Sequence, residues 1–220
     1  MRRAVLVLTR LPQPGQAKTR LIPRLGAEGA AELQRCMLLD VLDLLASLPA
    51  TETVVAYTPP KDGQELRSLV QRPLLLLPQR WESLGERMAE AIADVFSLGF
   101  RPVVAVGSDL PTLSLSAVEA TFLLLEEPTA DVVLGPTPDG GYYLMGLIQP
   151  QPELLTEVSM GHAGVLAETR SRAQASGLQV ALVAPGSDVD TPKDLLRLQE
   201  ELAAYPPNAG QRTRQFLLEA

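Results

Sequence analysis

Seven short apolar segments alternate with longer amphipathic segments along most of the chain. The apolar segments, which we predict to be β-strands, are residues 4–8, 53–57, 74–77, 103–106, 131–134, 142–147 and 179–183. Several are continuously apolar, as is typical of strands buried on both faces of a parallel sheet. This alternation predicts an α/β protein with three layers, α/β/α, and a mixed but mostly parallel sheet.

Five helices are predicted from apolar residues spaced three or four positions apart. The first helix shows this spacing most clearly, on one face made of Leu33, Met37, Val41, Leu44 and Leu48. The others are expected near residues 84–95, 114–127, 164–176 and 192–204. Ser114 is suited to the N-cap of the third helix.

The length of 220 residues is that of one domain. The composition changes at two consecutive prolines, residues 206 and 207. We therefore expect a single domain over residues 1–205 and a tail over residues 206–220. This tail is predicted either to be a loose arm or to dock on a neighbouring copy, as in a homo-oligomer.

Positive charge is concentrated near the start of the chain. Residues 1–27 contain six Lys and Arg and no Asp or Glu, whereas the whole chain has a net charge of −7. Four of the six lie in the loop RLPQPGQAKTRLIPRLG, which follows the first strand. An acidic chain with one basic loop is poorly suited to nucleic acid but well suited to a small polyanion. A solvated basic loop is the alternative interpretation.

The sequence does not predict export or membrane insertion. The first apolar run, residues 4–8, is shorter than the roughly 7–15 residues of a signal-peptide core. No apolar run approaches the roughly 20 residues of a membrane helix. The single cysteine, Cys36, excludes an intramolecular disulfide and a cysteine-based zinc site. We expect a cytoplasmic protein that binds no membrane.

Ligands of such sheets bind beyond the carboxyl ends of the strands. After the first strand, Gly15 lets the backbone approach a phosphate, and Lys18 and Arg20 supply positive charge. After the fourth strand, Asp109 is suited to hold a hard cation. It is equally suited to cap the turn that Pro111 begins.

A second carboxylate is expected opposite Asp109. Asp188 and Asp190 follow the last strand and precede the last predicted helix. Two carboxylates completed by phosphate oxygens and water suit Mg²⁺ or Mn²⁺. The alternative is that these residues only cap the helix, with Pro192 at its first position.

The segment GPTPDGGYYLMGL, residues 135–147, predicts a turn between two strands. A plain hairpin explains most of this pattern. It does not explain the adjacent Tyr142 and Tyr143, whose amphipathic rings suit a sugar or a small polar acceptor. Gly140 and Gly141 would let the backbone approach that ligand.

Two other positions have local structural interpretations. Ser83 and Glu86 form the pattern of a capping box, after which Arg87 either pairs locally or points into the cleft. The only histidine, His162, cannot build a histidine metal cluster, and no G-x-S-x-G segment accompanies it. We expect His162 in a loop or at a helix start.

Five segments together resemble a family of glycosyltransferase-like proteins known as radical-SAM/selenodomain-associated transferases. They read PQPGQAKTRL at residues 12–21, LGERM at 84–88, GSDLP at 107–111, GPTPDGGYYLMG at 135–146 and DVDTPKDL at 188–195. The segment KTRLIP also resembles the signature loop of nucleotidyltransferases. DVDTPKDL is similar to a segment of phospholactate and molybdenum-cofactor guanylyltransferases. The resemblance covers the chain to about residue 200.

The resemblance implies a GT-A fold of the nucleotide-diphospho-sugar transferase type and an enzyme that uses a nucleotide-activated donor. The implied nucleotide- and phosphate-binding residues are Thr9, Arg10, Gly15, Lys18, Arg20 and Ser108. Asp109 and Asp190 are the implied ligands of Mg²⁺ or Mn²⁺. The implied acceptor or sugar side is formed by Arg87, Gly140, Gly141 and Tyr142. The catalytic set is Lys18, Asp109 and Asp139.

The chain departs from the family pattern in two places. Ser83 stands where the family has an aspartate, and EVSMGHAG, residues 157–164, replaces a W-[GS]-T segment. Neither departure affects the predicted metal or phosphate residues. Both affect the acceptor side, so the acceptor is left open.

Three hypotheses of function follow. The first is glycosyl transfer from a nucleotide sugar to a small-molecule acceptor, with Asp139 orienting or deprotonating the acceptor. The second is nucleotidyl transfer from a nucleoside triphosphate, of the guanylyl or cytidylyl type, with release of pyrophosphate. The third is a non-catalytic nucleotide-binding protein, which the presence of both the carboxylates and the basic loop disfavours.

Overall fold

A seven-stranded sheet forms the centre of the protein. The computed structural model describes residues 1–127, 129–206 and 209–219. The strands are β1 Arg3–Arg10, β2 Thr51–Thr58, β3 Leu75–Pro78, β4 Val103–Gly107, β5 Val132–Pro136, β6 Tyr142–Leu147 and β7 Val180–Leu182. They lie in the order β3-β2-β1-β4-β6-β5-β7. Only β6 runs antiparallel to its neighbours.

Eight helices are found in the described residues. They are α1 Ile22–Leu45, α2 Gly63–Val70, α3 Leu84–Ser97, α4 Leu115–Glu126, α5 Glu153–Thr156, α6 Val165–Ala175, α7 Pro192–Ala204 and α8 Gln211–Glu219. None of them is both long enough and apolar enough to span a membrane. The mixed, mostly parallel α/β sheet expected from the sequence is confirmed.

The two faces of the sheet bury separate apolar cores. Alternate strand residues point to opposite faces. Val5 and Val7 of β1 therefore pack with α1 and α4, whereas Ala4 and Leu6 pack with α3, α5 and α6. The three layers predicted from the apolar runs follow directly from this burial. Strands β1 to β4 are parallel, so their carboxyl ends meet at one edge.

The predicted strands all occur, with ends that differ by at most two residues. The helix that begins at Leu84 starts with the expected capping box between Ser83 and Glu86. Three helices were missed, α2, α5 and α8, with eight, four and nine residues. All three are too short to show several turns of helical spacing.

Residues 209–219 of the predicted tail do not form a loose arm. Helix α8 packs on α1 of the same chain, where Phe216 and Leu217 join a third cluster with apolar residues of α1 and α7. Buried Asp40 of α1 accepts hydrogen bonds from the backbone N–H groups of Arg212 (3.1 Å) and Thr213 (2.8 Å). A carboxylate from the middle of one helix thus caps the start of another.

We predict that Asp40→Ala lowers the free energy of unfolding by about 2 kcal/mol, because α8 loses its cap and two N–H groups lose their acceptor. Asp43→Ala is the matched control. Asp43 pairs with the same Arg212 but is half exposed and caps nothing. It should cost less than about 1 kcal/mol. Urea unfolding of both variants checks this, and equal losses would contradict it.

Candidate active site

A cleft of about 490 Å³ opens at the carboxyl ends of β1 to β4. Eight of the residues predicted from the sequence line it: Thr9, Arg10, Lys18, Arg20, Arg87, Ser108, Asp109 and Asp190. They come from the end of β1 and the loop after it, the first turn of α3, the segment just after β4 and the segment just before α7. The parallel strands therefore bring distant parts of the sequence to one place, as expected for this sheet type.

Lys18 lies at the centre of the charged residues. Its Nζ donates to Asp109 Oδ2 and to Asp190 Oδ1, both at 2.7 Å. Only 6% of the Lys18 side chain is exposed. Burial alone would lower the pKa of Lys18, but the two carboxylates outweigh it and raise this pKa to about 12. The ammonium is therefore charged at neutral pH.

The backbone on both sides of this contact is fixed locally. Lys18 has a left-handed conformation, φ 46° and ψ 46°, which directs the chain into the helical turn that precedes α1. Asp190 precedes Thr191, the N-cap of α7, whose capping box with Asp194 holds the segment. Val189 N–H donates to the Asp109 carbonyl at 3.2 Å. This bond ties the two carboxylate segments together.

The residues present fit a divalent cation. Asp109 and Asp190 already converge on one positive charge, the Lys18 ammonium. Their oxygens are the hard ligands that Mg²⁺ and Mn²⁺ prefer. In the described part of the chain, no group of three or more His, Cys, Asp or Glu side chains is arranged to hold a metal. Metal dependence therefore stays a prediction, and a bound cation would need further ligands from a substrate.

Two arginines face the cleft without a carboxylate partner among the described residues, Arg10 and Arg87. Arg87 Nη1 donates to the Glu82 carbonyl at 3.0 Å. Partial burial and then repulsion from Arg10 lower the pKa of Arg87. Two like charges facing one cavity create an attraction for an anion. Both interpretations left open for Arg87 apply, since it lines the cleft and also bonds locally to the Glu82 carbonyl.

The turn after β5 lies apart from the large cleft. Asp139 accepts hydrogen bonds from Thr137 Oγ1 and from Gly141 N–H, so its carboxylate closes the turn. Gly140 has a φ of 90°, and a Cβ there would lie 2.0 Å from the Ala163 carbonyl oxygen. Asp139, Gly140 and Gly141 do not line the large cleft. Their role toward an acceptor stays a prediction.

A second cavity of about 230 Å³ lies beside the cleft and shares Leu8, Leu84 and Asp109 with it. Tyr142 lines this cavity, and burial raises the pKa of its hydroxyl to about 12. Its other lining residues are mainly apolar, with Asp188 the second carboxylate. This cavity is where the structure places the predicted acceptor residue Tyr142.

Five polar residues of the cleft were missed by the sequence analysis: Gln16, Thr19, Gln34, Thr58 and Gln79. Thr58 ends β2 and Gln79 follows β3, where the rule of inspecting strand ends would have found them. Gln34 lies in the middle of α1, where no sequence pattern distinguishes it from an exposed helical glutamine. Gly15 was predicted to approach the phosphate but does not line the cleft, although its φ of 77° shapes the loop.

His162 lies in the expected loop before α6. Its Nδ1 accepts a hydrogen bond from Gly164 N–H at 3.0 Å. Its Nε2 lies 3.6 Å from a Glu168 oxygen. These contacts are local, and His162 does not line the cleft.

Asp188 generates a prediction about pH. Burial, followed by repulsion from Asp109 and Asp190, raises the pKa of Asp188 to about 6. A folded-state pKa above the unfolded value means that ionisation of Asp188 destabilises the fold as the pH rises through 6. Asp188→Asn should therefore raise the free energy of unfolding by about 1–2 kcal/mol at pH 8 and change it little at pH 4.

Urea unfolding at the two pH values measures this difference. Asp190→Asn is the control, because its carboxylate pairs with Lys18 and its loss should destabilise the protein at pH 8. A loss of stability in Asp188→Asn at pH 8 would contradict the prediction.

Several known proteins are similar to this chain. A 3-phospho-D-glycerate guanylyltransferase from Phenylobacterium zucineum is 31% identical over 207 residues, which cover 91% of this chain and 89% of the relative. A crystal structure from Desulfovibrio desulfuricans, described as a candidate nucleotide-diphospho-sugar transferase, superposes with a TM-score of 0.91 at 29% identity. That match covers 99% of this chain and 94% of the other.

A cytidylyltransferase from Leptospira borgpetersenii has a TM-score of 0.63 at 11% identity, covering 100% of this chain and 94% of that one. This likeness concerns the fold alone. The fold is therefore that of nucleotide-diphospho-sugar transferases, as the sequence motifs implied. A family model described as an uncharacterized protein conserved in bacteria, DUF2064, matches residues 41–162, and the chain belongs to this family.

Proposed function

We propose that the protein is a metal-dependent nucleotidyltransferase, which transfers the nucleotidyl group of a nucleoside triphosphate to a small acceptor. The observation that carries this proposal is the cleft in which Lys18 joins Asp109 and Asp190, while Arg10 and Arg87 line the same space with no carboxylate partner in the described part of the chain. Such a site offers positive charge to phosphates and carboxylate oxygens to a cation. A polyphosphate bound to a metal needs both.

The guanylyltransferase relative favours this proposal over glycosyl transfer, the first of the three hypotheses. Its identity extends over most of both chains, and it is named for transfer of a guanylyl group. An enzyme that transfers nucleotide groups is accordingly favoured over a non-catalytic binding protein. The association with radical-SAM or selenodomain proteins stays a prediction.

Glycosyl transfer is the second candidate function. The Desulfovibrio structure, which is described as a candidate nucleotide-diphospho-sugar transferase, supports it. Both donors carry a diphosphate or triphosphate, so the basic residues of the cleft suit either of them. They differ in what leaves: pyrophosphate in nucleotidyl transfer, and a nucleoside diphosphate in glycosyl transfer.

In nucleotidyl transfer, the basic residues bind and orient the triphosphate. Lys18 and Arg20, which follow β1, would neutralise phosphate oxygens together with Arg10 and Arg87, which line the same cleft. An oxygen of the acceptor, a phosphate in our proposal, forms a bond to the α-phosphorus. The bond from the α-phosphorus to the bridging oxygen breaks, and pyrophosphate leaves with that electron pair.

Asp109 and Asp190 would hold Mg²⁺ or Mn²⁺, which supplies Lewis-acid stabilisation of phosphate charge when bound. Lys18 Nζ already bonds one oxygen of each carboxylate, so its ammonium would have to share these carboxylates with a cation. We propose that Lys18 turns its ammonium toward the triphosphate when the nucleotide binds. Tyr142 and Asp139, in and near the second cavity, would orient the acceptor.

We predict that a nucleoside triphosphate stabilises the protein more than any nucleotide sugar does. At about 100 times its dissociation constant, a ligand adds roughly 2.7 kcal/mol to the free energy of unfolding. Thermal-shift measurements with GTP, CTP and UDP-glucose, each with Mg²⁺ and with a chelator, test this. Selective stabilisation by UDP-glucose would favour glycosyl transfer instead.

Asp109→Asn should lower pyrophosphate release by at least about 100-fold, because the variant loses a negative oxygen ligand and leaves Lys18 paired only to Asp190. A coupled pyrophosphate assay with GTP and a panel of phosphorylated acids, including 3-phospho-D-glycerate, measures it. Asp43→Asn is the control, because Asp43 is an exposed residue of α1 outside the cleft, and its activity should be unchanged. Equal activity of both variants would contradict the assignment of Asp109.

A further inference from the structure

A buried polar contact joins α1 to the end of β4. Gln34 Nε2 lies 2.9 Å from Ser108 Oγ, and each residue is only 4% exposed. An amide side chain taken out of water is costly unless it forms hydrogen bonds, and a leucine would pack on the sheet at no such cost. The pair therefore does more than fill the space between helix and sheet. Both residues line the cleft.

The contact determines where the Ser108 hydroxyl can point. A serine hydroxyl has one donor hydrogen and two acceptor lone pairs. The Gln34 N–H occupies a lone pair, so the hydroxyl hydrogen is free to bond elsewhere. Within residues 1–127, 129–206 and 209–219, Ser108 Oγ has no second hydrogen-bond partner. The donor hydrogen is left for a ligand.

The surroundings indicate what kind of ligand accepts it. Ser108 immediately precedes Asp109, and its N–H is fixed on the Leu8 carbonyl at 3.2 Å. Lys18 and Arg10 line the same cleft. An acceptor placed among these donors and cations carries negative charge. A phosphate oxygen meets that description, and a hydrogen bond to a charged acceptor is the stronger kind.

We infer that Gln34 is a positioning residue, which orients the Ser108 hydroxyl as a hydrogen-bond donor to a phosphate oxygen of the bound nucleotide. The inference rests on the proposed function, because it requires a phosphate in the cleft. Gln34 acts through Ser108 and not through a contact of its own. Removing Gln34 should therefore cost nucleotide affinity only while Ser108 is present.

A double-mutant cycle tests this dependence. The variants are Ser108→Ala, Gln34→Leu and the combination of both. Isothermal titration with GTP and with CTP, each in Mg²⁺, gives the affinities, and urea unfolding gives the stabilities. Gln174→Leu, an exposed glutamine of α6, is the matched control and should bind like the wild type.

Each single variant should weaken binding of the preferred triphosphate by about tenfold. The double variant should bind no more weakly than Ser108→Ala. In a separate series, the affinities of guanosine and cytidine, which carry no phosphate, are measured for the same variants. Their affinity should be the same in all variants, whereas a merely structural role of Gln34 would lower it together with that of the triphosphate.

If the fold losses of triphosphate affinity in the two single variants multiply in the double variant, the inference is overturned, since Gln34 then acts independently of Ser108. Unchanged triphosphate affinity in both single variants would also overturn it. In that case the wild type still binds the triphosphate and the proposed function stands. Failure of the wild-type protein to bind any triphosphate would overturn both.

Discussion

The ion pair of Lys18 with Asp109 and Asp190 is the constraint on which the cleft depends. Two carboxylates at the end of a buried strand and the start of a helix repel each other, and a single buried ammonium holds them together. The left-handed backbone at Lys18 brings the loop after β1 into position to supply it. The loop, β4 and α7 thus meet at this ion pair, and the buried side chains of Leu21, Val189 and Leu195 pack together beside it.

Electrostatic balance differs between the two neighbouring cavities. The large cleft has four basic side chains, Arg10, Lys18, Arg20 and Arg87, and two carboxylates. The smaller cavity is mainly apolar and contains Asp109 and Asp188. Asp109 belongs to both, so a donor in the first cavity and an acceptor in the second would meet beside it. This geometry is why a transfer reaction fits the protein better than simple storage of a nucleotide.

The sequence was sufficient for the sheet and for most charged residues of the cleft. Continuous apolar runs and strand-end residues are local patterns, and they identified all seven strands together with Lys18 and Asp109. Contacts between distant elements were not predictable in this way. Gln34 meets Ser108 across 74 residues, and no local pattern encodes that contact. Helices α2, α5 and α8 were missed because each has too few turns to show a period.

Helix α8 has a consequence for how the protein is handled in the laboratory. It covers apolar surface of α1 and α7 and receives its cap from Asp40, six residues after Gln34 on the same helix. A shortened form that ends before Gln211 would expose Leu25 and other apolar side chains of α1 and α7, and Asp40 would lose the two N–H donors of α8. Such a form would be prone to self-association. An affinity tag should therefore be added after α8 and should not replace any part of this helix.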